Sequence, residues 1–239
     1  MRHRLFITGT DTGVGKTELS LALLQAAKHA GLSTAAMKPV AAGATQLDGE
    51  WKNEDAFRLQ QACTLPLSYS EVNPVLLQQA IAPHLAAYRE NRSITIERLL
   101  GLTQNVFHKK ADFTVIEGAG GWRVPITHRE LLSQYVQQLN LLQPKTAVVL
   151  VVGIRLGCIN HSLLTAEAIL RDNVPLAGWI ANCVDPAMEA ELENIQTLER
   201  LLPAPCLAII PFQPTLDTAT IAEKIRMELL LQRLAALQA

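Results

Sequence analysis

The chain has 239 residues, 49% hydrophobic and 18% charged, with a formal net charge of -1, a size that suits one large α/β domain with a well-buried sheet. Near-neutral charge without a run of like charges gives no electrostatic reason for a nucleic acid partner. The longest apolar run, residues 147–152, is too short to span a bilayer and reads as a fully buried parallel strand, so no membrane is expected.

The first stretch, Leu5-Phe6-Ile7-Thr8-Gly9, is an apolar strand that runs into Thr10-Asp11-Thr12-Gly13-Val14-Gly15-Lys16-Thr17. Gly13 and Gly15 allow backbone N–H groups to turn towards phosphate oxygens, Lys16 adds a cation, and Thr17 adds a hydroxyl for Mg²⁺. Leu19, Ala22, Leu23, Ala26 and Ala27 mark one face of a helix starting at about Lys16 and stopping at Gly31. A helix N-terminus would then face the anion. The general consensus asks for a glycine five places before Gly15, where Thr10 stands; Gly9 lies one residue further back. The chain enters this loop almost at once, leaving no room for a signal peptide, and a cytoplasmic location is expected. Cys63, Cys158, Cys183 and Cys206 match no C-x-x-C pattern and are read as reduced thiols.

A second strand is predicted at 34–37, ending at Lys38-Pro39, which places a lysine at the carboxyl end of the sheet where ligands bind. A polar stretch, 46–54, precedes Asp55, which reads equally as a helix-start carboxylate and as a metal ligand. Residues 66–91, with prolines at 66, 74 and 83, read as a long irregular excursion over the ligand edge, and His84 within it as structural or ligand-contacting. A helix at 95–108 leads to Phe113-Thr114-Val115-Ile116-Glu117-Gly118-Ala119-Gly120-Gly121, an apolar strand that delivers one acid beside phosphates and Mg²⁺ and is followed by glycines. Strand 146–153 is followed by a helix start at Gly157-Cys158-Ile159-Asn160, a capped turn or a second anion site. Strand 176–184, a helix to 202, strand 206–210 and a leucine-rich helix at 216–237 complete the chain. The alternation predicts a single doubly wound α/β domain over 1–239, with a mostly parallel central sheet and helices on both faces.

The motifs taken together resemble the dethiobiotin synthetase family. They are Gly-Thr-Asp-Thr-x-Val-Gly-Lys-Thr at 9–17, Lys-Pro-Val-Ala at 38–41, Asn-x-Asp-Ala at 53–56, Glu-Gly-Ala-Gly-Gly-Trp at 117–122, Gly-Cys-Ile-Asn-His at 157–161, Gly-Trp-x-Ala-Asn at 178–182 and Leu-Pro-Ala-Pro at 202–205. The resemblance implies ATP- and Mg²⁺-dependent carboxylation of 7,8-diaminononanoate by CO₂ and ring closure, in a homodimer with its substrate site at the interface. It implies that Lys16 and Lys38 are catalytic and that Thr17, Asp55 and Glu117 hold the metal. ATP would be bound by Gly13, Val14, Gly15, Lys16, Thr17, Glu18, Asp55, Glu117, Gly118, Ala119, Gly120, Asn182, Cys183, Pro211, Phe212 and Gln213. Substrate would meet Thr12, Lys38, Ala42, Cys158 and Asn160. Two positions depart from the family: members can carry an acid where Gly13 stands and a small hydroxyl residue where Ala42 stands. An alternative reading is an ATP-driven dimerisation switch of the partitioning type, but its loop has a lysine where this chain has Asp11.

Overall fold

The computed structural model describes residues 2–142, 145–215 and 217–238. In chain order its elements are β1 (His3–Gly9), α1 (Lys16–His29), β2 (Thr34–Met37), β3 (Val40–Ala42), β4 (Thr45–Leu47), β5 (Glu50–Lys52), α2 (Glu54–Ala62), α3 (Tyr69–Val72), β6 (Val75–Leu77) and α4 (Pro83–Arg89). They continue with α5 (Ile96–His108), β7 (Phe113–Glu117), α6 (Leu132–Asn140), β8 (Thr146–Ile154), α7 (Cys158–Arg171), β9 (Leu176–Cys183), α8 (Glu191–Leu201), β10 (Cys206–Ile210), α9 (Thr218–Lys224) and α10 (Met227–Gln238).

Six strands form one sheet in the order β10-β9-β8-β1-β7-β2, and every pairing in it is parallel. Strand side chains alternate between faces. Leu5 and Ile7 of β1, with Val149 and Val151 of β8, enter a core shared with Leu19, Leu59, Ile221 and Leu230 of α1, α2, α9 and α10. Phe6, Val148, Leu150 and Val152 enter the opposite core, with Leu99, Val136, Ile169 and Leu198 of α5, α6, α7 and α8. Helices on both faces explain why β8 is buried along its whole length. β1 lies between β7 and β8, and the chain leaves it in opposite directions on the two sides, so the crevice at a topological switch point opens above its carboxyl end.

The expected parallel sheet is found, with every pairing in it parallel. Other expectations are corrected. Residues 66–91 are in part regular: α3 opens with a capping box between Ser68 and Glu71, β6 pairs in parallel with β3, and Pro83 begins α4. Proline at a first helical turn is compatible with a helix, which is why a proline count misread this segment. The polar stretch at 46–54 holds the antiparallel hairpin of β4 and β5. The predicted helix at 216–237 is two helices. Extended backbone at Ile225 ends α9, and Arg226 N–H donates to the Leu207 carbonyl, 2.9 Å; the expected start at Leu216 lies outside the described residues. His84 packs edge to face on His128, with ring centroids 5.9 Å apart.

Candidate active site

The loop after β1 is tight because of what it lacks. A Cβ on Gly9 would sit 2.7 Å from Val14 Cγ2 and 2.8 Å from the Asp11 carbonyl oxygen, and one on Gly153 would sit 2.7 Å from Val14 Cγ1. Val14 is therefore a buried peg between two strand ends. Gly9 is required by space and not by a left-handed φ. Gly13 (φ 73°) and Gly15 (φ 89°) hold left-handed backbone. Gly15 caps α1 with no side-chain hydrogen bond, which leaves the first helical N–H groups to an anion.

Lys16 and Thr17 follow on the first turn of α1. The Lys16 ammonium donates to the Asp11 carbonyl oxygen across the loop, 2.9 Å, and burial lowers its pKa from the ordinary lysine value. Thr17 Oγ1 donates to Glu117 Oε1, 2.9 Å, so the first loop and the end of β7 meet. Lys38 leaves β2 with its backbone pinned: its N–H donates to the Val72 carbonyl, 2.8 Å, and Asn73 Nδ2 donates to its carbonyl oxygen, 2.7 Å. Its ammonium donates to Asp55 Oδ2 at 2.5 Å and Glu117 Oε1 at 2.6 Å. Burial opposes that charge, but Glu117 and then Asp55 outweigh it, and the Lys38 pKa is raised.

Asp55 stands in the first turn of α2, which Asn53 caps by accepting the Ala56 N–H, 3.2 Å. Arg58 on the same helix grips Glu18 with two bonds, 2.5 and 2.8 Å, tying α2 to α1. Thr12, Gly13, Gly15, Lys16, Thr17, Glu18, Lys38, Ala42, Asp55, Glu117, Gly118, Ala119 and Gly120 all line one cleft of 760 Å³. Gly118 is there because a Cβ would lie 2.7 Å from Phe6 Cζ.

The donor set suits a magnesium phosphate. Glu117 Oε2 is buried and has no protein partner among the described residues, while its Oε1 accepts from the Thr17 hydroxyl and from Lys38, which also reaches the Asp55 carboxylate. Among the described residues no group of three His, Cys, Asp or Glu side chains forms a metal cage. Mg²⁺ takes one or two carboxylates and completes its shell with phosphate and water, so this sparse set fits it when a phosphate is present.

Other expected residues lie outside the cleft lining. Asn182, at the end of β9, is buried; its Nδ2 donates to the Val14 carbonyl oxygen, 2.9 Å, while its Oδ1 has no partner among the described residues. Cys183 is buried, and burial, with Glu191 adding, pushes its thiol up to about 12, so it is no nucleophile. Pro211, Phe212 and Gln213 follow β10. Cys158 is buried and Asn160 exposed at the start of α7, which Gly157 (φ 93°) caps without a side-chain bond. Arg155 before that helix pairs with Asp11 of the first loop. Sequence reasoning missed Arg123, which also lines the cleft and is held by Asp172 at 2.6 and 2.9 Å. Its position directly after the Gly120-Gly121-Trp122 run was the available signal.

A family model described as an AAA domain matches residues 3–220. The ATP-dependent dethiobiotin synthetase BioD of Cellvibrio japonicus is 52% identical over 210 residues, covering 88% of this chain and 90% of its own. That of Vibrio campbellii is 46% identical over 233 residues, covering 97% and 99%. Among solved structures, the septum site-determining protein MinD of Pyrococcus horikoshii, complexed with Mg-ADP, superposes with a TM-score of 0.57 at 16% identity, covering 100% of this chain and 99% of its own. The signal recognition particle receptor FtsY of Elizabethkingia anophelis with GDP gives 0.52 at 14% identity, covering 94% and 63%. The last two are likenesses of fold alone.

Proposed function

This chain belongs to the ATP-dependent dethiobiotin synthetase family, and we propose that its cleft joins CO₂ to 7,8-diaminononanoate and closes the ureido ring of dethiobiotin while ATP becomes ADP and phosphate. One observation carries this reading: Lys38 lies against Glu117 and Asp55 in the same cleft as the glycine cradle and Lys16.

The chemistry runs in three steps. A substrate amine adds to CO₂, forming a C–N bond and losing a proton, and leaves a carbamate. A carbamate oxygen attacks the terminal phosphorus of ATP, and ADP departs. The second amine attacks the carbamoyl carbon, the C–O bond to the phosphoryl group breaks, phosphate leaves, and that nitrogen loses its proton. None of these steps needs a protein nucleophile; they need alignment and positive charge around crowded anions.

Each group has a place in this scheme. The N–H groups of Gly13 to Thr17 and the Lys16 ammonium hold the phosphates. Lys38 holds the carbamate and its phosphorylated form. Thr17, Asp55 and Glu117 would hold Mg²⁺, which when bound neutralises phosphate charge. Glu18 keeps α1 and α2 together through Arg58, and Gly118, Ala119 and Gly120 bring backbone to the nucleotide. The unpartnered Oδ1 of Asn182 is an acceptor suited to the exocyclic amine of adenine, with Cys183, Pro211, Phe212 and Gln213 beside the base. Thr12 and Ala42 meet the diamine.

The substrate carboxylate would be received by the α7 start, Cys158 to Asn160, of the second subunit of a homodimer. Supporting this, Leu156 is 93% and Leu164 57% exposed beside that helix start, an apolar surface fit for a second copy. The dimerisation-switch reading is not adopted, because MinD shares only the fold while the synthetases share about half of the residues.

The test is ATP-dependent fixation of labelled bicarbonate into diaminononanoate. Wild type is expected to form product and Lys38→Ala to lose most turnover. Full turnover by that variant contradicts the mechanism, and ATP-dependent self-association without product favours the switch.

A further inference from the structure

A second cavity, of 460 Å³, opens at the opposite end of the sheet and is lined by Arg2, His3, Arg4, His108 and Lys110, with Phe107 in its wall. It begins where β1 begins, whereas the cleft lies past the end of that seven-residue strand, roughly 20 Å away at the rise of a β-strand. No carboxylate side chain lines it among the described residues.

Its cations are unusual in their burial. Arg4 is only 5% exposed, yet among the described residues it has no acidic partner. Its guanidinium rests 4.0 Å from the centroid of the Phe107 ring, and the one hydrogen bond it makes among the described residues, to the Leu139 carbonyl oxygen, is long at 3.4 Å. His3 is 7% exposed, and its Nδ1 is buried with no partner among the described residues. Burial lowers the pKa of both, that of Arg4 to about 10, with Asp112 opposing the shift at His3.

The negative end of α5 accounts for His108 and Lys110, as it does for cations after many helices. It does not account for Arg4 or His3, which belong to a strand. A buried charge without a partner costs stability unless something binds it, and a guanidinium fork matches phosphate and carboxylate oxygens.

We propose that this cavity is a binding site for a compact polyanion, a phosphate-bearing or polycarboxylate metabolite, separate from the catalytic cleft and held by Arg4, His3, His108 and Lys110.

The test keeps the cleft filled. The protein, saturated with Mg²⁺ and a non-hydrolysable ATP analogue, is titrated with pyrophosphate in one arm and citrate in the other, while the imidazole resonances of His3 and His108 are followed by NMR. Saturable shifts of both histidines are expected, and the arm with the tighter midpoint identifies the anion as phosphate or carboxylate in kind. Lys110→Gln, an exposed change that leaves synthetase turnover intact, is expected to weaken the midpoint roughly tenfold, and Arg4→Met to abolish saturation. If Arg4→Met fails to fold, Lys110→Gln still decides. Shifts that never saturate in either arm, or a midpoint unmoved by Lys110→Gln, overturn the proposal.

Discussion

The ammonium nitrogen of Lys38 lies 2.6 Å from Oε1 of Glu117, whose carboxylate has no exposure to solvent. Lys38→Met leaves that carboxylate buried without its cation, and such a break costs about 3 kcal/mol. Urea unfolding in metal-free buffer is expected to show a loss of that order. Lys38→Met/Glu117→Gln should recover part of it, because the fully buried carboxylate goes with its cation and only the part-exposed Asp55 is left without its partner. An unchanged midpoint in Lys38→Met would mean that the pair does not persist in solution.

Gly153 and Val14 set the shape of the phosphate loop. Because a Cβ at 153 would press to 2.7 Å from Val14 Cγ1, Gly153→Ala is expected to push the loop out and raise the KM for ATP by roughly tenfold, at the low end of the 1–3 kcal/mol scale of overpacking. Val14→Ala removes the atoms in the way. The double variant should therefore bind ATP better than Gly153→Ala alone, and steady-state kinetics on the three proteins decides the matter.

The Ser33 hydroxyl donates to Asp112 Oδ2 at 2.5 Å and the Ser33 N–H to the same oxygen at 3.0 Å. These bonds, the hydroxyl first, hold the Asp112 carboxyl below its ordinary value. The folded pKa is lower than the unfolded one, so the stability from this pair is complete above about pH 4 and is lost as pH falls through the folded value. Ser33→Ala should melt earlier than wild type at neutral pH, with the gap closing in acid. A gap that widens on acidification contradicts this assignment.

Much of the cleft was legible because its parts carry local signals. Gly13 to Thr17 sit between a strand and a helix, Lys38 is locked by Pro39, and Glu117 ends an apolar run before glycines. Each of these marks the carboxyl end of a strand, and a parallel sheet gathers such ends on one edge. What escaped depends on distant partners. Arg123 is aimed by Asp172, 49 residues away, and the Glu18–Arg58 clasp spans 40; no periodicity reports either. The elements between 66 and 91 escaped for a different reason, since α3 and β6 are four and three residues long, too short to show a repeat. α6 escaped although its apolar face is buried, because Leu131 at its start offers no side-chain cap.

The reaction turns on a carbamate oxygen attacking phosphorus in the cleft shared by Lys16, Lys38 and Glu117, and isotope transfer tests that step most directly. In a single turnover with C¹⁸O₂, started before its oxygens exchange with water, the attacking oxygen stays with phosphorus when the ring closes. Inorganic phosphate carrying one ¹⁸O atom derived from CO₂ is expected. Released phosphate without label, alongside labelled dethiobiotin, would contradict it.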